Sequence, residues 1–357
     1  MADDIEALRR EIDGIDDELL KLLNRRAGVA RRIGELKGAS TPYRPERESE
    51  ILRSLAKRNP GPLPSERAIA VFREVISACR AMEAPIRVAY LGPAGTFSEQ
   101  AVYRHFGHAV DAVAFASVDE VFRGTESEST QFSVIPVENS TEGVVGRSLD
   151  LLLGTPLKMC GEIELRVQQN LMTKATSLAG VRRVYSHPQS LAQCAGWLGR
   201  NLPSVERVPA ASNAEAARLA SLEEGAAAIA GEAAAERWGL AILARSIEDD
   251  PSNTTRFVVL GGMEPAPTGK DRTSIVLSAE NKPGAVHALL TPLAANGVSM
   301  TRIESRPART RAVLWEYVFF IDVEGHRKEA RVATALAELA AKAPFLKILG
   351  SYPVAVS

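Results

Sequence analysis

The sequence predicts three folded parts: an all-α domain over residues 1–85, an α/β domain over 86–262 and an α+β ferredoxin-like domain over 272–357. Three patterns carry this reading. Helical periodicity alone fills the first part, short apolar strands alternate with helical stretches in the second, and a βαββαβ order fills the third. A length of 357 residues has room for two or three domains at about 100–200 residues each. With 43 Lys and Arg against 44 Asp and Glu, the chain lacks the positive excess of a nucleic-acid binder. No apolar run approaches the roughly 20 residues that span a bilayer. The opening Met1-Ala2-Asp3-Asp4 is acidic, unlike a signal peptide. Cys79, Cys160 and Cys194 show no metal-like spacing. A cytoplasmic protein with no metal and no cofactor is expected.

In the first part, periodicity runs from 5 to 37 and is broken by Pro42, Pro45 and the stretch Asn59-Pro60-Gly61-Pro62-Leu63-Pro64. It resumes over 65–83, so one long helix, one short one and another long one are expected. With residue 5 as heptad position a, the a and d positions are Ile5, Leu8, Ile12, Ile15, Leu19, Leu22, Arg26, Val29, Ile33 and Leu36. All are apolar except Arg26, and such a seam packs against other helices. A cation there either pairs with a buried acid or sets register, or it waits for an anionic ligand. Lys37 follows about 16 Å along the helix and about 20° round it, close enough to share a small polyanion. Arg9 lies about 25 Å from Arg26 along the same helix. If it serves the same ligand, it must come from a second subunit. The other charges, eight acids and two bases in 1–20 against six bases and one acid in 21–37, suit the helix macrodipole.

In the second part, residues 86–91, 132–137, 181–186 and 226–229 read as strands, and their alternation with helices indicates a largely parallel sheet. Four motifs stand at turns or strand ends. Gly92-Pro93-Ala94-Gly95-Thr96-Phe97-Ser98-Glu99 feeds a helix N-terminus, whose N–H groups favour a carboxylate or phosphate. It is neither a Walker loop nor GxGxxG. Ile135 to Gly143 carries Glu138-Asn139-Ser140 at a strand's carboxyl end, where open α/β sheets place ligands. Ser186-His187-Pro188-Gln189 opens a third junction that runs on to Gln193-Cys194, and Asn253-Thr254-Thr255-Arg256-Phe257 opens a final strand. Residues 263–270, with Pro265, Pro267 and Gly269, read as a linker. Strands are then expected at 273–279, 298–305, 313–323 and 346–354, with helices at 285–296 and 329–342.

The order of these motifs is specific. Residues 1–85 resemble the all-helical chorismate mutase domain, with Arg9, Arg26, Lys37, Arg47, Glu48 and Glu83 at that family's ligand positions. Cys79 and Glu83 stand where some members carry Ser and Gln. The resemblance implies an intertwined dimer in which the partner's Arg9 joins Arg26 and Arg47 on the substrate's carboxylates. Lys37 then faces the breaking ether bond and Glu48 the ring hydroxyl. A glutamate at 83 can donate to the ether oxygen only when protonated, so mutase activity is expected to fall as Glu83 ionises.

The second part is similar to prephenate dehydratase, which implies a two-lobed fold like a periplasmic binding protein with its site in the cleft. Thr255 matches the essential threonine. Arg256 and the turn bearing Thr96 and Ser98 are candidate carboxylate anchors, with Glu138, Asn139, Ser186 and Gln193 lining the cleft. The proton donor is left open between Glu138 and His187. Residues 272–357 resemble an ACT regulatory domain, with Asn281, Gly284, Ala285, Val286, Glu304, Ser305, Arg306 and Pro307 as effector residues and phenylalanine as the implied ligand. The expectation is a bifunctional chorismate mutase–prephenate dehydratase, a homodimer or tetramer, feedback-inhibited by phenylalanine. An arogenate dehydratase and a non-catalytic amino-acid sensor are the alternatives.

Overall fold

The computed structural model describes residues 2–38, 41–280, 282–307 and 317–356. Two compact units form: Met1–Ile86 with Phe106–Asp111, and Arg87–His105 with Ala112–Ser357.

The first unit holds α1 (Ala2–Lys37), α2 (Pro45–Arg58) and α3 (Ser65–Ala81). Pro45 opens α2, where its missing N–H costs no hydrogen bond. Glu46 and Glu48 in the first turn, with Lys57 and Arg58 in the last, oppose the helix dipole. Leu52, Ile69, Ile76 and Cys79 are buried between α2 and α3. Gly34 of α1 lets the end of the third helix close in, since a Cβ there would lie 3.1 Å from the Glu83 side chain. The α1 seam is different. Its nine apolar residues are all exposed, from 41% at Val29 to 88% at Leu36.

The second unit begins with an α/β lobe: β1 (Arg87–Leu91), α4 (Phe97–Phe106), β2 (Asp111–Phe115), α5 (Val118–Glu126), β3 (Phe132–Asn139), β4 (Gly143–Val144), α6 (Gly146–Gly154) and β5 (Lys158–Arg166). A second lobe follows with β6 (Asn170–Thr173), β7 (Arg183–Ser186), α7 (Pro188–Gln193), α8 (Ala195–Asn201), β8 (Glu206–Pro209), α9 (Asn213–Leu222), β9 (Ala226–Ala230), α10 (Glu232–Trp238) and β10 (Ala241–Ala244). The chain then returns through β11 (Thr254–Gly261) to the first lobe's sheet, whose order is β2-β1-β3-β11-β5. The second sheet is ordered β10-β6-β9-β7-β8.

The largely parallel sheet expected from sequence does not form; both sheets are mixed. β1 and β3 are parallel, but β11 runs antiparallel to β3 and β5. In the second lobe β7 is parallel to β8 and β9, whereas β6 is antiparallel to β9 and β10. Parallel neighbours need a crossover within their own lobe. β11 arrives from the other lobe instead, and enters the sheet from its opposite end.

The last part comprises β12 (Asp271–Ser278), α11 (Ala285–Ala295), β13 (Met300–Pro307), β14 (Tyr317–Glu324), α12 (Ala330–Lys342) and β15 (Phe345–Pro353). Its antiparallel sheet has the order β13-β14-β12-β15, which is the ferredoxin-like arrangement. Residues 313–316 of the strand expected there lie outside the described residues. Ile275 and Leu277 pack under α11 and α12 with Leu289, Val332 and Leu336. Val276, Phe320, Leu349 and Tyr352 point the other way, into one core with Ile135, Val137, Met159 and Val258 of the first lobe.

The C-terminal sheet is therefore covered on both faces. The approach is close: a Cβ on Gly350 would lie 2.1 Å from the carbonyl oxygen of Met159. Lys347 reinforces the contact by donating to Leu152 O at 2.9 Å, Leu153 O at 2.9 Å and Thr155 O at 2.6 Å, the unpaired carbonyls ending α6. Residues 263–270 are likewise held, through His326 Nε2 and Pro265 O at 3.1 Å and Thr268 N donating to Asp271 Oδ2 at 2.7 Å. Among the described residues no helix is long and apolar enough to cross a membrane.

Candidate active sites

The helical unit contains a cavity of about 490 Å3 lined by Arg26, Lys37, Arg47, Glu48, Cys79 and Glu83, together with Arg25, Arg44 and Arg80. Six of the seven residues expected there converge from all three helices. Arg9 does not join them; it is exposed and sits 3.5 Å from Glu6 one turn away. Arg26 Nη1 donates to Val75 O at 3.4 Å. Its charge acts on Glu48, another lining residue of the cavity, without a direct ion pair among the described residues. The acid–base pair lies elsewhere: Arg80 Nη1 donates to Glu48 Oε1 at 2.5 Å and Nη2 to Phe106 O at 2.6 Å. The Arg80 guanidinium lies over the paired rings of Tyr43 and Phe106, 5.5 and 5.6 Å from their centroids. Burial raises the Glu48 pKa above the ordinary carboxylate value, and Arg80 works in the opposite direction. Breaking such a buried pair costs about 3–5 kcal/mol. Arg80 was not anticipated, although its position one residue after Cys79 on a buried helix face is a visible signal.

Lys37 Nζ stands 3.8 Å from Glu83 Oε2. An ionised Glu83 ties up this cation and has no proton to offer an ether oxygen, whereas a glutamine can donate at any pH. Glu83→Gln is therefore expected to raise the turnover of chorismate rearrangement at pH 8 by about tenfold. Equal kcat/KM at pH 8 for variant and wild type would refute this assignment.

Between the two α/β lobes lies a cleft of about 770 Å3. Thr255, Thr96, Ser98, Asn139, Gln193 and His187 line it. The first wall is the turn after β1, where Gly95 adopts φ +91, a conformation open to glycine. Glu99 braces this turn by accepting from Gly95 N at 2.5 Å and from Tyr90 Oη at 2.9 Å. Ser98 lies in the first turn of α4, where unpaired N–H groups can receive a carboxylate.

The polar floor is a chain of amides. Asn139 Nδ2 donates to Thr255 Oγ1 and to Asn253 Oδ1, both at 2.8 Å. Asn253 Nδ2 donates to Gln193 Oε1 at 3.0 Å, and Gln193 Nε2 to Thr141 Oγ1 at 3.2 Å. Thr255 Oγ1 accepts the bond from Asn139, which leaves its hydroxyl hydrogen as a donor for a bound molecule. Asn253, Gln169, Asn213 and Ser190 also line the cleft and were not anticipated. Asn253 stands two residues before Thr255, where the shared strand parity could have flagged it.

Three expected cleft residues lie elsewhere. Ser186 is fully buried and donates to Ile229 O at 2.8 Å, with Asn213 Oδ1 at 2.9 Å, so it stands behind Asn213. Arg256 and Glu138 are on the sheet face opposite Thr255 and Asn139, because successive strand residues alternate sides. Arg256 Nη1 donates to Asp322 Oδ2 at 2.5 Å, and Glu138 Oε2 accepts from Arg302 Nε at 2.6 Å. Neither is an anchor in the cleft, and Glu138 is not placed to supply a proton there. His187 Nδ1 accepts from Gln189 N at 3.3 Å and caps α7, the role of a structural residue. Cys194 is also inert: burial, then Glu248 and Asp249, push its thiol up to about 12.

The expected effector residues flank the C-terminal sheet. Gly284 takes φ +77 before α11, and Ala285 and Val286 begin that helix. Glu304, Ser305, Arg306 and Pro307 end the edge strand β13. Asn281 lies outside the described residues. Arg306 is held 3.3 Å from Asp150 of α6, so this member of the set reaches the first lobe. Among the described residues no cluster of three His, Cys, Asp or Glu is placed to hold a metal.

A helical cavity crowded with cations, joined in one chain to a polar two-lobed cleft, defines an enzyme with two separate sites for small carboxylic acids. Residues 8–84 match the family chorismate mutase type II, 88–265 the family prephenate dehydratase and 273–341 the ACT domain. A bifunctional chorismate mutase/prephenate dehydratase of Neisseria gonorrhoeae is 53% identical over 98% of this chain and 96% of its own. One from Stutzerimonas stutzeri is 47% identical, covering 99% of both chains. The solved prephenate dehydratase of Arthrobacter aurescens in complex with L-Phe superposes with a TM-score of 0.69 at 34% identity, covering 75% of this chain and 90% of that one. The chain belongs to the bifunctional chorismate mutase/prephenate dehydratase family and is an enzyme of phenylalanine biosynthesis.

Proposed function

We propose that the two reactions are carried by the helical cavity and the interlobe cleft, with the residues above in named roles. Chorismate rearranges to prephenate when its two ends are held together and charge on the breaking C–O bond is offset. Arg26 and Arg47 bind the carboxylates, Lys37 donates to the ether oxygen, and Glu48, steadied by Arg80, takes the ring hydroxyl. In the cleft, the bond from the prephenate ring to its carboxylate breaks, carbon dioxide leaves, and the electron pair closes the aromatic ring. The ring hydroxyl departs as hydroxide, which takes a proton from solvent to become water, giving phenylpyruvate. The observation that carries this half is the hydrogen bond that fixes Thr255 Oγ1 as acceptor from Asn139 and leaves its O–H to donate to the leaving oxygen. Thr96, Ser98 and the start of α4 receive a substrate carboxylate.

The mutase site is completed by a second copy of the chain. Nine exposed apolar residues on one helix face are what an intertwined dimer would cover. The partner subunit's Arg9 then reaches the ligand held by Arg26. Feedback control by L-phenylalanine is assigned to the ACT domain. Gly284 to Val286 offers a helix N-terminus to the carboxylate, and Glu304 takes the ammonium. Three free buried thiols suit a reducing cytoplasm.

Ile12→Glu tests the dimer. Sedimentation is expected to show loss of the α1-mediated association, and mutase kcat/KM to fall at least about a hundredfold. Unchanged association and activity would remove Arg9 and the dimer from the mechanism.

A further inference from the structure

The register of β3 and β11 sets two rungs next to each other: Thr255 opposite Asn139, then Arg256 opposite Glu138. The first opens on the cleft and the second on the ACT sheet. There the second rung meets a rung of the same kind, Arg302 opposite Asp322 on β13 and β14. The charges match one to one. Arg256 Nη1 donates to Asp322 Oδ2 at 2.5 Å, and Arg302 Nε to Glu138 Oε2 at 2.6 Å.

The surroundings hold this square. Glu162, with its side chain fully buried, sits 3.2 Å from Arg256 Nη2 and also pairs with Arg272. Tyr352 Oη accepts from Arg256 Nη2 at 2.9 Å. Ser274 Oγ bonds both Tyr352 and Asp322. The ladders themselves are interrupted at these points. The β3–β11 register slips between Arg256 and Phe257, and the β13–β14 register between Met300 and Arg302. A slip of this kind weakens local strand pairing and re-aims side chains. It falls on the β3 side alone, since β11 keeps unbroken register with β5 from Thr254 to Val259. On the β3 side the rung bearing Thr255 and Asn139 leans on the charged rung beside it.

We propose that Arg256 and Glu138 are positioning residues. Locked to the Asp322–Arg302 rung of the ACT sheet, they hold Thr255 and Asn139 at the spacing the dehydratase step needs. The proposal rests on the catalytic reading of Thr255 given above. It makes the ACT domain part of the dehydratase site. It also gives effector binding a route: Arg302 lies two residues before Glu304 on β13, so a ligand that moves this strand moves the rung behind Thr255.

The test uses the full-length chain with Asp322→Asn and, separately, Arg302→Gln, both remote from the cleft. A displacement of about 1 Å costs on the order of a hundredfold, so dehydratase kcat is expected to fall at least about tenfold in each. The KM for prephenate should stay within about twofold and mutase kcat should be unchanged. Asp322→Glu, which keeps the charge, should recover most of the loss. Wild-type kcat in both variants would overturn the proposal. So would a loss in which KM rises in step with the fall in kcat and Asp322→Glu is no better, because that is loosened folding. Full activity in Thr255→Ala would instead remove the catalytic reading on which the proposal stands. That result is obtained with the charged rungs intact, so the two failures are distinguishable.

Discussion

Thr255→Ala is expected to lose at least about a hundredfold of dehydratase kcat while leaving chorismate mutase activity at the wild-type level. The magnitude follows from deleting one preorganised donor aimed at developing charge, which costs about 10²–10³-fold. Thr255 is only 9% exposed, so alanine leaves a small change in volume and no exposed cavity. Asn139 Nδ2 keeps Asn253 Oδ1 as an acceptor at 2.8 Å, and the amide chain survives. The loss therefore belongs to chemistry rather than folding. The measurement is phenylpyruvate formation from prephenate in parallel with chorismate disappearance in the same preparation. A joint loss of both activities would place Thr255 in general stability.

The second large effect is on the other reaction. Arg26→Met keeps the apolar stem of the side chain in the α1 seam but removes its charge. Mutase kcat/KM is expected to fall roughly 10²–10³-fold, with prephenate dehydration unchanged. Among the described residues the Arg26 guanidinium makes one long hydrogen bond, to Val75 O at 3.4 Å, and acts on Glu48 through charge alone, so little packing is lost with it. A methionine variant that keeps normal turnover would return Arg26 to a structural role.

Much of this was legible in the sequence, for reasons that can be traced residue by residue. The α1 seam is readable because a 3.5-residue repeat with a single cation has few meanings, and its cation does line the cavity. Thr255, Asn139 and Gln193 are readable because each sits at a strand or helix end facing a cleft. Arg256 and Glu138 show where motif reading goes astray. Both stand in motifs beside true cleft residues, yet a strand turns neighbours to opposite faces, and Thr255 and Arg256 cannot serve the same side. That parity was available from the sequence.

What their side chains meet was not. The pairing of Arg256 with Asp322 spans 66 residues, and only the packed structure brings them together. A weaker signal did exist in β12, where Ile275, Val276 and Leu277 are apolar in succession. A strand so composed has both faces covered, which already argues against an ACT domain hanging from a loose linker. The mixed sheets were not legible, because strand direction depends on which lobe the chain arrives from, and local composition does not record that.

The most direct measurement of the central claim uses purified wild-type protein with chorismate and no added cofactor, following chorismate, prephenate and phenylpyruvate together, with and without L-phenylalanine. The account predicts chorismate loss, phenylpyruvate formation in its place, and suppression of phenylpyruvate by phenylalanine. Prephenate accumulating as the end product, in folded protein and without phenylalanine, would contradict it.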